Sequence, residues 1–143
     1  MPSVNKSALV EYGALDMFNI VNDVEKYSDF LPWCGSSTVL SRTDDEVKAS
    51  VEISHSGINK TFVTLNRIQP GKFIEMRLIE GPFKHLHGFW RFTSIGNKGC
   101  KVTLDLEYEF SSKLLGLAIG PIFTQIANTL VDAFCKRAEA IYG

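Results

Sequence analysis

The sequence lacks the residues and motifs on which most recognisable catalytic and metal sites depend. Only three cysteines and three histidines occur in 143 residues, and no cysteine pair has the C-x-x-C spacing of a zinc or redox site. Cys34, Cys100 and Cys135 are odd in number and widely spaced, so we expect reduced and mostly buried thiols. A G-x-S-x-G elbow, an H-E-x-x-H helix and a glycine-rich phosphate loop are also missing, which excludes the enzyme classes that those motifs identify.

The chain also lacks an excess of charge and a long apolar run. Fifteen Lys and Arg against sixteen Asp and Glu give a net charge of −1, which argues against avid DNA binding through a global positive field. The N-terminal residues show neither a secretory signal nor a transit peptide, so we expect a cytoplasmic protein. The apolar stretch Leu114 to Phe123 is shorter than a membrane-spanning helix needs.

The composition is that of one ordinary globular domain spanning residues 1–143. Hydrophobic residues make up 45% of the chain and charged residues 22%, and we find no repeat, linker or low-complexity segment. A chain of this length buries roughly two-thirds of its unfolded surface, enough for a single core.

Two periodicities divide the chain. A first strand is predicted around Val4 to Tyr12, then a short helix through Leu15 to Val24 and a second helical segment over Tyr27 to Leu31. Alternation with a period of two follows from Ser37 to Phe110 and predicts antiparallel strands. The predicted turns between them include Asp44-Asp45, Ser56-Gly57, Pro70-Gly71 and Asn97-Lys98-Gly99.

The last thirty or so residues have the period of an amphipathic helix. Apolar residues from Leu115 to Ile141 fall on one side, and Gly120-Pro121 is expected to kink the helix or make it restart. The predicted class is α+β, a curved antiparallel sheet of about seven strands wrapped around a long C-terminal helix, with two short helices after strand 1. Such a sheet encloses more volume than one layer of side chains fills, which makes a ligand cavity plausible. The alternative, that the aromatic residues simply fill the core, stays open.

Side chains able to carry chemistry are predicted to lie outside this interior. Asp105, Glu107 and Glu109 alternate with apolar residues and therefore face the solvent. His85 and His87 share a face of one strand but have no evident third metal ligand. Because the interior positions hold almost no ionisable group, we expect no catalytic residue and no metal site.

Charge is unevenly distributed along the chain. Residues 57–101 hold eight Lys and Arg against two Asp and Glu, which makes the middle strands locally basic. The outward side chains of this segment form a candidate partner-binding surface for an acidic partner, ribosomal RNA included; an ordinary solvated surface is the alternative. The candidates for this basic surface are Lys60, Arg67, Arg77, Lys84 and Arg91.

Several motifs together resemble a known family. They are Val21 to Cys34 (VNDVEKYSDFLPWC), Gly57 to Phe62, Glu80 to Lys84, the strand Leu86-x-Gly88-x-Trp90-x-Phe92 and the closing helix. Together they resemble the coenzyme Q-binding and ribosome association toxin branch of the START-like (SRPBCC) superfamily over essentially the whole chain. The similarity is closer to the bacterial toxins than to the mitochondrial quinone-binding members.

The resemblance implies a helix-grip fold with an apolar tunnel and no bound cofactor. In such a tunnel relatives hold ubiquinone or a similar prenyl lipid without catalysing a reaction. The toxin relatives imply binding to the large ribosomal subunit, which blocks subunit association, and an antitoxin partner. A polyketide (oligoketide) cyclase or dehydratase is the alternative from other branches, but it needs interior polar groups.

The residues expected to line the tunnel come from both layers. Leu114 to Phe123 could in addition form a lid or touch a membrane surface while a ligand is loaded. The cavity candidates are Tyr27, Phe30, Leu31, Trp33, Met76, Leu78, Phe83, Trp90 and Phe92 from the sheet side and Ile119, Phe123, Ile126 and Leu130 from the helix.

Overall fold

The computed structural model describes residues 2–55 and 57–143 and contains one sheet and three α-helices. A single 3-10 turn, Val24–Lys26, joins the first two helices. The helices are α1 (Ala14–Asn22), α2 (Tyr27–Phe30) and α3 (Lys113–Tyr142). The strands are β1 (Ser3–Val10), β2 (Cys34–Arg42), β3 (Glu46–His55), β4 (Ile58–Gln69), β5 (Phe73–Glu80), β6 (Phe83–Ile95) and β7 (Gly99–Phe110).

All seven strands pair antiparallel in the order β1-β7-β6-β5-β4-β3-β2, which confirms the predicted fold class. Strands β2 to β7 form a meander, and β1 closes the sheet beside β7. The register shifts between Val63 and Thr64 and between Phe83 and His85. Such irregularities bend strands and increase their twist, so the sheet curves around the helix on its inner face.

The predicted boundaries differ from the structure by a few residues. The first strand ends at Val10 instead of Tyr12, α1 ends at Asn22, and the sheet resumes at Cys34, before the predicted Ser37. Gly71 turns the chain between β4 and β5 with a φ of 73°, a conformation that favours glycine. The predicted Ser56-Gly57 turn includes Ser56, which lies outside the described residues.

Helix α3 is continuous over 30 residues, or roughly 45 Å. Its first turn is capped by Ser112, whose Oγ accepts a hydrogen bond from Leu115 N at 3.1 Å. The predicted restart at Gly120-Pro121 is wrong. Pro121 leaves only the carbonyl of Leu117 without its helical donor, and both residues are exposed, so water can satisfy that oxygen.

The apolar stripe of α3 packs mainly against β1, β7 and α1. Within the described chain α3 is also the one helix that is long and apolar enough, by length and composition, to cross a membrane. Because the helix lies against one side of the curved sheet, space remains between it and the middle strands. The buried residues of the stripe are Ile119, Phe123, Ile126, Ala127, Val131, Phe134 and Ala138.

Candidate ligand-binding cavity

An apolar cavity of about 90 Å³ lies between α3 and the inner face of the sheet. A single water needs only ~15 Å³, whereas an engineered apolar cavity that binds benzene measures about 150 Å³. The space as it stands lies between these two volumes, so a ring-sized ligand enters only when lining side chains move apart. Its lining consists of Val24, Tyr27, Trp33, Ala49, Val51, Ile53, Phe62, Thr64, Asn66, Met76, Leu86, Trp90, Leu106, Phe123, Ile126, Ala127, Leu130 and Phe134.

Small residues on both layers create this space. Ala49 on β3 and Ala127 on α3 line the cavity with a single methyl group each. Gly88 on β6 has no side chain, and a Cβ atom there would lie 2.5 Å from Met76 Cε and 3.1 Å from Leu106 Cδ1. The absence of that atom lets both lining side chains settle against the strand.

Aromatic rings form another part of the cavity wall. The Phe134 ring on α3 makes edge-on contacts with Tyr27 and Trp90, each with 5.4 Å between ring centroids, and with Phe30 at 5.6 Å. Trp33 and Trp90, the two tryptophans of the chain, both line the cavity. Rings in edge-on geometry pack favourably and hold the helix to the sheet.

Tyr27 is the one ionisable residue in the described lining. Its hydroxyl donates a hydrogen bond to the carbonyl oxygen of Val21, and burial raises its pKa well above the ordinary value. The phenol is therefore neutral at physiological pH. Carboxylate, imidazole, ammonium, guanidinium and thiol groups do not occur among the described lining residues, so the Tyr27 phenol, which already donates to Val21, is the one ionisable group there.

Two polar side chains lie in the lining. Thr64 and Asn66 point inward from β4 and are only 5% and 6% exposed. The Thr64 hydroxyl donates a hydrogen bond to Asn66 Oδ1 at 2.9 Å. They are the polar residues of the described core, in a wall that is otherwise almost entirely apolar.

Seven of the thirteen predicted cavity residues line the cavity, and six do not. Those that line it are Tyr27, Trp33, Met76, Trp90, Phe123, Ile126 and Leu130. Those outside it are Phe30, Leu31, Leu78, Phe83, Phe92 and Ile119.

Three of the six pack elsewhere in or against the core. Phe92 packs edge-on against Phe18 of α1, and Phe83 stacks on Phe110 with 5.0 Å between centroids. Phe30 lies behind Phe134 and under the guanidinium of Arg137 at 4.8 Å.

The other three are separated from the cavity by their position in the fold. Leu31 is buried where α2 leads into β2, and Ile119 is buried one turn before Phe123 on α3. Leu78 lies beside Gly81 at the turn between β5 and β6.

The lining residues that were not predicted follow the same two periodicities. On β3 the inward alternation places Ala49, Val51 and Ile53 in the cavity, and on α3 the helical stripe adds Ala127 and Phe134. Thr64 and Asn66 occupy inward positions of β4 by the same alternation. They were not predicted, because the cavity candidates were aromatic and large apolar residues.

Four of the five predicted basic residues lie exposed on the outer face of the sheet, where each is paired with a carboxylate. Lys60 is also exposed, but it pairs in register with the inward-facing Ile53, so the expectation that it belongs to the outer surface is wrong. Arg67 and Arg77 reach Glu75 at 3.4 and 3.3 Å, and Arg91 reaches Asp105 at 3.3 Å. Each of these pairs joins side chains on the same strand or neighbouring strands.

Lys84 and Lys60 complete the predicted surface. Lys84 lies 3.6 Å from Glu109, whereas Lys60 forms no ion pair within residues 2–55 and 57–143. Exposed pairs of this kind contribute about 0–1 kcal/mol. The basic side chains can therefore exchange a carboxylate for another anion at little cost.

Glu75 is the centre of this outer face. Its side chain is 12% exposed, and His87 Nε2 lies 2.9 Å from Oε2 beside the two arginines. The hydrogen bond from His87, followed by Arg77, lowers the pKa of this carboxyl below its ordinary value. Glu75 therefore contributes stability above the unfolded-state carboxyl pKa, and the contribution is lost as the pH falls through the folded-state value.

The other outward carboxylates and histidines also lie on the outer face. Asp105 accepts from Arg91 and Asn5, and Glu107 lies 3.9 Å from His85 Nε2. In the described part of the chain no three His, Cys, Asp or Glu side chains come together as metal ligands.

Comparisons with known proteins agree with this geometry. Residues 10–135 match the family model described as polyketide cyclase / dehydrase and lipid transport. The chain is 48% identical over 143 residues to the ribosome association toxin RatA of Vibrio cholerae, with 100% of this chain and 99% of that protein covered. The Escherichia coli protein of the same name is 42% identical, with 99% and 90% covered.

More distant relatives have other names. A coenzyme Q-binding protein of Xenopus laevis, COQ10 homolog B, is 29% identical over 97% of this chain and 59% of its own length. The crystal structure of a Thermus thermophilus protein superposes with a TM-score of 0.84 at 18% identity, covering 99% of this chain and all of that one. The aromatase/cyclase Zhui from a Streptomyces species superposes at 0.80 with 16% identity, covering 96% and 93%.

The sheet, the gripped helix and the cavity define a START-like ligand-binding fold. The chain belongs to the polyketide cyclase / dehydrase and lipid transport family, in the branch of the ribosome association toxin RatA.

Proposed function

We propose that the protein is a non-enzymatic binder of a neutral apolar ligand, ubiquinone or a similar prenyl lipid, held between α3 and the sheet. The observation that carries the proposal is the cavity, whose described lining offers apolar surface and, apart from the Tyr27 phenol, no ionisable group. The names of the RatA and coenzyme Q-binding relatives, which are not those of enzymes, support it.

The energetics of burial are adequate for such a ligand. One buried CH₂ group contributes about 0.8 kcal/mol, so one isoprene unit contributes about 4 kcal/mol before losses. Two or three units give roughly micromolar affinity after ordering costs. Because the cavity is smaller than one that binds benzene, a prenyl ligand must displace the lining residues that are only half-buried. These residues are Tyr27, Trp33, Phe62, Met76 and Leu130.

Solvent extraction of the purified protein, followed by mass spectrometry, tests the proposal. We expect a prenyl lipid at a substantial fraction of the protein concentration. The matched control is an unrelated protein of similar size purified from the same cells. Repeated preparations that carry no more lipid than this control would reject the carrier function.

We further propose that the protein binds the large ribosomal subunit and hinders subunit association, through the exposed basic side chains Lys60, Arg67, Arg77, Lys84 and Arg91, of which all but Lys60 lie on the outer face. The support is the name of relatives that match the whole chain and the exposure of these five side chains. Their weak ion pairs with carboxylates can be replaced by contacts to phosphates. A ribosomal partner places the protein in the cytoplasm.

Ribosome profiles on sucrose gradients test this second function. Overproduction is expected to shift ribosomes toward free subunits, and the triple variant Arg77→Glu/Lys84→Glu/Arg91→Glu is expected to abolish the shift. The control reverses the same number of charges at exposed sites elsewhere, Lys6, Lys26 and Lys136. An unchanged profile with the wild type, or equal activity of the triple variant, would contradict the proposal.

Two partners implied by the resemblance remain proposals. Leu114 and Leu117, 77% and 79% exposed at the start of α3 beside Lys113, are suited to brief contact with a membrane surface during loading. Flotation with anionic vesicles should recover the protein, and failure to float would reject the contact.

An antitoxin partner should relieve the ribosome effect when it is co-produced.

A cyclase or dehydratase reaction in the same cavity is the alternative function, and the fold similarity to Zhui favours it. Such chemistry requires a buried acid or base within reach of the ligand. Because Tyr27 is the one such group in the described lining and its hydroxyl is engaged with Val21, we place this alternative below ligand carriage.

A further inference from the structure

The Asn66 carboxamide has an unused donor inside the cavity. Its Oδ1 is occupied by the Thr64 hydroxyl at 2.9 Å, and in the described part of the chain no oxygen accepts a hydrogen bond from its Nδ2. The side chain is 94% buried, since it is only 6% exposed. Nδ2 is nevertheless not one of the fully buried polar atoms without a partner, so it keeps access to the space that Asn66 lines.

The position of Asn66 makes this free donor informative. In the sheet it pairs with Val47 on β3 and Met76 on β5, and an apolar side chain would suit its place in the wall. A polar group at such a point gains stability when a bound molecule supplies the missing acceptor.

We propose that Asn66, oriented by Thr64, is the polar anchor of the ligand and donates a hydrogen bond to a carbonyl oxygen on the ligand's ring. The inference rests on the proposed ligand-binding function and adds the chemistry of the ligand's head group. Thr64 fixes which end of the carboxamide faces the ligand, because its hydroxyl holds Oδ1 and leaves Nδ2 for the cavity.

The rest of the lining defines the charge of this head group. Cationic side chains are missing from the described lining, so an anionic head group would be buried without a counter-charge. A neutral carbonyl needs only a donor. The ligand class is therefore a neutral, mostly apolar molecule that carries a ketone or quinone carbonyl on a ring small enough for the cavity.

Two probes of similar shape separate this hydrogen bond from apolar burial. Duroquinone (tetramethylbenzoquinone) carries ring carbonyls, whereas durene (tetramethylbenzene) carries none. Calorimetric titration gives the dissociation constant of each, and quenching of Trp33 and Trp90 reports whether duroquinone enters the cavity. Reaction with cysteine is suppressed, because the quinone is fully substituted and burial raises the pKa of all three thiols, that of Cys100 to about 11.

The variant Asn66→Leu should weaken duroquinone binding about tenfold, the equivalent of about 1.4 kcal/mol, and leave durene binding unchanged or tighter. Thr64→Val should weaken duroquinone binding about threefold, since Asn66 remains but loses its orientation. The double variant Thr64→Val/Asn66→Leu removes both partners of the hydrogen bond. It should fold, because replacing such a pair by apolar groups of similar shape is nearly neutral.

The control is Asn59→Leu, the same change at an exposed position on the same strand, which should alter neither constant. Equal effects of Asn66→Leu, or of the double variant, on both probes would overturn the anchor and leave the ligand-binding function in place. If the wild type bound neither probe, the ligand-binding function and the anchor would both be rejected.

Discussion

Replacing Phe134 with alanine is expected to lower the free energy of unfolding by about 3–5 kcal/mol. Phe134 is almost completely buried, and its ring contacts Tyr27, Phe30 and Trp90 at centroid distances of 5.4, 5.6 and 5.4 Å. These contacts connect α3 with α2 and with the centre of the sheet. Removing the ring enlarges the existing cavity and takes one ring contact from each of three aromatic side chains. Urea unfolding followed by tryptophan fluorescence measures the loss.

Phe73→Ala is the matched control for this change. Phe73 lies on the outer face, half-buried, and stacks on Phe89 with 5.3 Å between centroids. Because its ring closes no part of the core, we expect a loss of about 1 kcal/mol. Equal destabilisation by the two variants would show that Phe134 does not hold the helix to the sheet.

Filling the cavity from the helix side is expected to remove ligand binding while the protein stays folded. The variant Ala127→Leu adds three carbon atoms to a lining residue. These atoms displace about three methylene groups of ligand, worth about 2.4 kcal/mol or roughly fiftyfold in affinity. Part of the new side chain enters empty space, so overpacking should cost no more than about 1–3 kcal/mol. Titration with a prenyl quinone measures the affinity, and thermal unfolding measures the stability.

The control Ala140→Leu makes the same change on the same helix at an exposed position away from the lining. It should bind the quinone as the wild type does. Unaltered affinity of Ala127→Leu would mean that the ligand binds somewhere other than between α3 and the sheet.

The fold was predictable because its two periodicities are local. Alternation from Val47 to Ile53 and from Val102 to Phe110 identifies strands with one buried face, and the stripe from Leu115 to Ile141 identifies the helix that covers them. Of the kink or restart expected at Gly120-Pro121, the restart is wrong, because Pro121 is on the side of α3 that faces water. That fact belongs to the tertiary structure and cannot be derived from the local sequence.

The cavity was predictable as a feature of the fold, whereas its exact lining was not. The side chains of Phe92 and Trp90 both point inward from β6. Phe92 packs against Phe18 of α1, whereas Trp90 lines the cavity. The difference arises from where α1 and α3 cross the sheet. Ala49 and Ala127 are important because their small side chains leave space for a ligand. Thr64 and Asn66 are important because Asn66 Nδ2 has no acceptor among the described residues. Both properties appear only when the layers are assembled.

Chemical-shift mapping by NMR with a short-chain ubiquinone tests the central claim most directly. The claim is that the ligand lies between α3 and the sheet, in contact with both layers. It predicts saturable shifts of the backbone amides at Ala49 and Asn66 on the strands and at Ala127 on the helix. Shifts confined to the outer face around Phe73 and Phe89, or no saturable shifts at all, would contradict it.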